Sequence, residues 1–165
     1  MRKLKLIFCF LVFISCNALA QDAKPSILER LSGEWTADGK AFGMPAKIFM
    51  KWEPALEGKF MKLTYNMEMT TKDGKRQVFN GIAFYKPKGD GTFVATWVDS
   101  SGDMHPIAAT VDGSTLVSVW GTPETKLGKT TYAFIDDDKV EIVDQIKRND
   151  KWNEFNRNTV VRKVN

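Results

Sequence analysis

The stretch Gly58-Lys-Phe-Met-Lys-Leu-Thr-Tyr-Asn-Met-Glu-Met69 alternates with a period of two. Met61, Leu63, Tyr65, Met67 and Met69 fall on one face, and Lys62, Thr64, Asn66 and Glu68 on the other. Successive side chains of a strand point to opposite sides of its sheet, so this is the pattern of a strand with one buried face. Just upstream, Ala46, Ile48, Met50 and Trp52 oppose Lys47, Lys51 and Glu53 in the same way. Working outward, turn signals recur at short intervals: Asp38-Gly39, Glu57-Gly58, Asp73-Gly74, Gly89-Asp90-Gly91, Ser101-Gly102, Asp112-Gly113, Leu127-Gly128, Asp136 to Asp138 and Asn149-Asp150. Glycine enters turns without strain, and Asp or Asn closes them through the side chain. The runs between are rich in Val, Ile, Thr and aromatic residues, as strands require.

This spacing predicts about ten strands, near 33–41, 45–53, 59–70, 77–86, 92–99, 104–111, 115–121, 129–136, 139–147 and 151–163, after one short helix from Ser26 to Leu31. Pro25 and Ser26 suit a helix start. Tight hairpins without crossover helices imply an antiparallel meander. Closing that meander removes exposed sheet edges, so the expected fold is all-β: an up-and-down antiparallel barrel with a short N-terminal helix. A two-sheet sandwich is the alternative.

The first twenty residues, MRKLKLIFCFLVFISCNALA, have the parts of a secretory signal. Arg2, Lys3 and Lys5 precede an apolar run from Leu6 to Ile14, and Ala18-Leu19-Ala20 is a small-x-small cleavage site. The run is too short for a bilayer span of roughly 20 apolar residues, so no transmembrane segment is expected in the mature chain. The expected product is a single domain, residues 21–165, exported to a periplasmic or secreted destination. Acylation at Cys16 is the lipoprotein alternative. The net charge of +4 includes Arg2, Lys3 and Lys5, so cleavage leaves +1, which removes the electrostatic case for nucleic acid binding. Cys9 and Cys16 also depart, leaving no thiol chemistry and no disulfide. The core is well supplied: five Trp and eight Phe remain.

Leu31-Ser32-Gly33-Glu34-Trp35 places a Gly-x-Trp at the opening of the first strand. This resembles the start of the calycin barrels, which include lipocalins, fatty-acid-binding proteins and nitrobindin-like proteins. The stretch from Gly33 to Gly39, with Met44-Pro45 and Lys51-Trp-Glu53, is similar to the opening of nitrobindins and of a family of bacterial nitrobindin-like barrels. The resemblance implies that Trp35 plugs one barrel end, with Arg162 as a basic partner on its ring. It also raises haem. The nitrobindin iron is held by a histidine near the C-terminal end, but 142–165 contains none and His105 lies in mid-chain. Tyr65 and Met67 are alternative ligands in principle, although Met-rich strand faces generally belong to cores. No cofactor is therefore expected.

The candidate ligand-binding residues are Trp52, Tyr65, Met67, Trp97, His105, Trp120 and Arg157. The tryptophans either line a cavity or fill the barrel solidly. His105, in Ser-Gly-Asp-Met-His-Pro106, is either a ligand contact or base near Asp99 or Asp103, or a residue of a turn. Arg157 faces inward if Phe155 and Val161 do, and would then need an anion; otherwise it lies on the solvated wall. Asp136 to Asp138 reads as a turn rather than a Ca²⁺ loop. The sequence lacks a nucleophile elbow, a phosphate-cradling loop and a zinc helix, so no catalytic residue is named. The leading expectation is a carrier of a small apolar or amphipathic ligand. The alternatives are an envelope-associated interaction module with a filled barrel and an apolar patch near Phe49 and Phe60, or a lyase- or isomerase-type enzyme using His105.

Overall fold

The computed structural model describes residues 25–164. The expected signal segment 1–20, with Cys9 and Cys16, lies outside the described residues. Helix α1 (Ile27–Leu31) is followed by ten strands: β1 (Gly33–Ala41), β2 (Met44–Ala55), β3 (Phe60–Thr70), β4 (Arg76–Gly89), β5 (Thr92–Asp99), β6 (Met104–Asp112), β7 (Thr115–Gly121), β8 (Leu127–Asp136), β9 (Lys139–Arg148) and β10 (Lys151–Arg162). Each strand pairs antiparallel with its sequence neighbours, and β1 pairs with β10 to close the barrel. The sandwich alternative is thereby excluded, since no edge is left free to end a sheet. Ser26 caps α1 through a capping box: its Oγ accepts from the Glu29 N–H at 3.3 Å, and Glu29 Oε2 accepts from the Ser26 N–H at 2.6 Å. Among the described residues no helix is long and apolar enough to cross a membrane.

Two of the expected turns fall elsewhere. Asp38-Gly39 lies inside β1, whose turn to β2 is Phe42-Gly43, and Leu127-Gly128 opens β8 after a turn at 122–126. Both glycines face the interior, for a reason that emerges with the site.

The barrel interior divides along its axis. At the α1 end the inward side chains of Trp35, Trp52, Leu63, Tyr85, Leu116, Val140 and Val160 are at most 1% exposed, and Leu31 of α1 joins them. Trp52 packs on Tyr85 at 5.2 Å and edge-on to Tyr132 at 5.4 Å. This half is solid.

The closing seam is the thinnest part of the wall. β1 and β10 share only two registered pairs, Trp35 with Arg162 and Thr36 with Val161. A backbone bond from the Lys163 N–H to the Glu34 carbonyl at 2.8 Å extends the seam by one step, and side chains supply the rest. The Trp35 indole donates to the Leu31 carbonyl at 2.7 Å, and the Arg162 guanidinium lies 4.1 Å from the Trp35 ring centroid. The same guanidinium donates to the carbonyls of Ser32 (2.7 Å), Arg30 (2.9 Å) and Asp137 (3.0 Å) and pairs with Asp138 at 3.1 Å. Gly33 is required here: its φ is +121°, and an added Cβ would sit 3.0 Å from Arg162 Nη1. The Gly-x-Trp motif and Arg162 thus form one lock over the barrel end, and the Asp136–Asp138 run is the turn that serves it.

Farther up the seam, the Asn158 side-chain amide takes the part of a missing peptide. It donates to the Lys40 carbonyl at 2.9 Å and accepts from the Lys40 N–H at 3.1 Å.

Arg162→Ala removes the ring contact and several charge-assisted hydrogen bonds, and should lower unfolding free energy by about 2–4 kcal/mol in urea melts. Arg157→Ala, which removes half-exposed ion pairs on the outer wall, should leave it nearly unchanged. Equal losses in the two variants would contradict the lock.

Candidate functional site

The interior half away from α1 is built differently. Tyr65, Phe79, Trp97, His105, Trp120, Thr130, Asp144 and Asn156 all sit on inward strand positions there and remain partly exposed. Three rings form a cluster: Tyr65 to Trp97 at 6.2 Å, Phe79 to Trp97 at 6.3 Å and Tyr65 to Phe79 at 6.4 Å. On the adjoining strands His105, registered opposite Trp97, lies against Trp120 at 5.4 Å. The Tyr65 hydroxyl meets Met67 Sδ at 3.6 Å.

Glycines open the space these rings occupy. A Cβ on Gly81 would lie 2.0 Å from the Trp97 ring, and one on Gly128 would lie 2.0 Å from the Trp120 ring. Gly39 does the same for Asn158, whose Oδ1 would be 2.0 Å from an added Cβ. Glycine inside a strand marks such a close approach. Each glycine lets a large side chain lie along the barrel wall instead of projecting across the interior.

A polar network runs through this half. Thr130, Asp144 and Asn156 form one row across β8, β9 and β10. The Trp120 indole donates to Thr130 Oγ1 at 3.1 Å, and Thr130 donates to Asp144 Oδ1 at 2.7 Å. Asn156 Nδ2 donates to Asp144 Oδ2 at 3.0 Å while its Oδ1 accepts from Asn158 at 2.9 Å. The chain of bonds therefore joins Trp120 to the seam at Lys40. Burial raises the Asp144 carboxyl above its ordinary range, a shift that the Thr130 and Asn156 hydrogen bonds partly offset. Burial also raises the Tyr65 and Tyr132 phenols, both further raised by the Asp144 charge, and pushes Tyr85 up to about 12 against its 3.1 Å contact with Ser118. The phenols are accordingly neutral at physiological pH.

Of the residues proposed from sequence, Tyr65, Met67, Trp97, His105 and Trp120 share this inner half. Trp52 does not: it is fully buried among the core of the α1 half. Arg157 does not face inward either. β10 carries a bulge between Glu154 and Asn156 that shifts the alternation, so Asn156, Asn158 and Val160 point in while Arg157 and Val161 point out. On the outer wall Arg157 pairs with Glu154 at 2.6 Å and Glu141 at 2.8 Å, which satisfies its charge without an anion. The residues missed from sequence are Asp144, Thr130, Asn156 and Asn158. Their signal was parity: Asp144 continues the inward face of Val140 and Ile142, and Asn158 that of Val160.

His105 has one acidic neighbour, Asp103, with Nε2 to Oδ2 at 3.7 Å, and Lys126 competes for the same carboxylate at 3.6 Å. Asp99 is engaged by its own turn, accepting from the Trp97 indole at 2.8 Å and the Ser101 N–H at 2.8 Å. Haem does not fit this interior. The inward residues of β9 and β10 include no axial ligand, His105 is turned to Asp103 and Trp120, and the Tyr65 hydroxyl and Met67 sulfur engage each other. Two surface grooves, of about 490 Å³ beside Leu127 and Ile146 and about 990 Å³ beside α1, lie at the two ends and exclude the aromatic cluster. No protein-family model and no curated protein matches this chain.

Gly128→Ala should displace the Trp120 ring, destabilise the protein by about 1–3 kcal/mol and shift tryptophan fluorescence; unchanged emission and stability would contradict the close approach. For Asp144 the sign follows from its raised pKa. The folded state holds this proton more tightly than the unfolded chain, so the contribution to stability is present at low pH and is lost as pH rises through the raised value. Asp144→Asn lacks that loss. Its stability relative to the unmodified protein should therefore improve as pH rises from about 4 to about 8, measured by urea unfolding; a flat difference would oppose this.

Proposed function

We propose that the chain is an exported barrel, related to the lipocalin-like and nitrobindin-like proteins, that binds a small apolar or amphipathic molecule in the half of its interior away from α1. The observation that carries this reading is the contrast between the two halves. One is sealed by fully buried side chains, while the other presents partly exposed rings around a few placed polar groups. Binding pockets have that composition: mostly apolar and aromatic walls, with a small number of polar groups that orient the ligand. Gly81 and Gly128 support it further, because a barrel selected only for a filled core would place side chains at those positions rather than hold rings flat against the wall. The lock of Trp35 and Arg162 supports the kinship, and the signal-like first twenty residues support export.

The outer wall also carries an apolar stripe. It runs from Phe60 through Phe84 and Ile82 to Val98 and Met104, away from Phe49. That stripe favours the interaction-module reading, but it lacks the oriented polar groups of the interior, so interior binding is preferred. For the enzyme reading, His105 has a partner at the rim and no contact with Asp144.

Protein purified from its native host should release a bound small molecule on solvent extraction and mass spectrometry, and the emptied protein should bind a neutral apolar dye such as Nile red. Trp97→Ala should weaken dye binding by about tenfold, the loss of one well-packed aromatic contact. Trp152→Ala is the control, because Trp152 lies on the outer wall under Lys129. Absence of both extract and dye binding would sink the proposal.

A further inference from the structure

We infer that the ligand is a protonated amine with an aromatic or apolar body, its ammonium group held by Asp144 among the rings of Tyr65, Trp97 and Trp120. This rests on the reading that the interior half binds a small molecule, and it names the chemistry of that ligand.

Asp144 has two oxygens with about four acceptor positions. Among the described residues its side-chain donors are Thr130 and Asn156, one to each oxygen, and no lysine or arginine pairs with it. Both donors are neutral, so they orient the carboxylate without balancing its charge. A carboxylate surrounded by protein and left without a cation is costly unless something else supplies one. Among the described residues the register places no such cation beside it. Among the described residues, the charged or titratable groups on inward positions of this half are Tyr65 from β3, Asp99 from β5 and His105 from β6, with Tyr85 and Tyr132 below and the exposed pair Arg148 and Lys151 out at the rim turn of β9 and β10. Inward positions of β1, β2, β7 and β10 hold none at this level, and His105 is directed to Asp103.

The walls fit the same cation. Indole and phenol faces attract ammonium groups through the ring quadrupole, most strongly where water is excluded. Trp120 is tied to the Asp144 carboxylate through Thr130, by bonds of 3.1 and 2.7 Å. Tyr65 faces the same half from β3, its ring 6.2 Å from that of Trp97. Phe79 and Trp97, stacked at an interplanar angle of 22°, extend the apolar surface toward the rim and match a ligand body rather than a second charge. An anionic ligand finds the opposite: its charge would face Asp144 and Asp99.

Calorimetric titration with 2-phenylethylamine and its neutral counterpart 2-phenylethanol, near neutral pH on the signal-free chain, separates the two layers of the claim. The amine should bind at least about tenfold more tightly, and Asp144→Asn should bring the two within about threefold while leaving the alcohol unchanged. The variant's fold is checked by circular dichroism. If it fails to fold, the unmodified protein gives the readout: amine affinity should fall as pH is lowered through the carboxyl titration while alcohol affinity stays level, and the same should hold in His105→Gln. Equal binding of amine and alcohol, or an amine curve that is flat with pH, overturns the amine assignment and leaves interior binding standing. Binding of neither molecule rejects both.

Discussion

The barrel depends on how its last strand meets its first. Every other pair of neighbouring strands shares six or more registered positions, whereas β1 and β10 share two. A ladder that short does not hold a closed sheet by backbone hydrogen bonds alone. Arg162 compensates at the α1 end by tying three carbonyls and a carboxylate to the Trp35 ring. Asn158 compensates farther up, where its amide exchanges both hydrogen bonds with the Lys40 backbone as a neighbouring strand would. Polar side chains are retained at the seam because buried backbone groups there would otherwise be unpaired.

The second of these devices couples the wall to the interior. Asn158 also donates to Asn156, which donates to Asp144, which accepts from Thr130, which accepts from Trp120. The orientation of the Asp144 carboxylate is thus fixed by the same residues that close the barrel, on strands rather than on loops. Polar groups so anchored are held in one arrangement before any partner is present. The sealed half contributes as well. It fills the barrel centre at the α1 end with buried side chains, while the partly exposed rings face the end framed by the turns at 42–43, 71–75, 100–103, 122–126 and 149–150.

The fold was legible because it rests on short-range signals. Period-two alternation and turn residues placed all ten strands with ends within three residues, and the Gly33-x-Trp35 opening pointed to the plug. Gly39 and Gly128 misled for a physical reason. A glycine beside Asp, or following a break in apolar pattern, looks the same whether it turns the chain or clears space for a side chain arriving from another strand. Only the register, which brings Trp120 opposite Gly128 and Asn158 near Gly39, separates the two. Arg157 misled because a single bulge at the start of β10 inverts every later position. Asp144 was readable in retrospect, as an acid continuing the inward face of Val140 and Ile142, but its partners come from strands 12 to 14 residues away and carry no local signature.

That acid is the clearest departure from what stability alone would select. Asn at this position would keep the volume and avoid an uncompensated charge; Ile or Leu would extend the apolar face that Ile142 begins. The surrounding chain spends four hydrogen-bonding side chains on holding Asp144 in place and none on neutralising it. Several charges of the outer wall are matched: Glu53 lies between Lys51 and Lys62, Glu68 meets Arg76, and Arg157 has two carboxylates. These pairs all lie on the outer wall, where solvent would tolerate them unpaired. Asp144, among partly exposed aromatic side chains, has only neutral donors and no cation among the described residues. A local conflict of this kind, supported on every side by the fold, is where a requirement other than stability is to be sought.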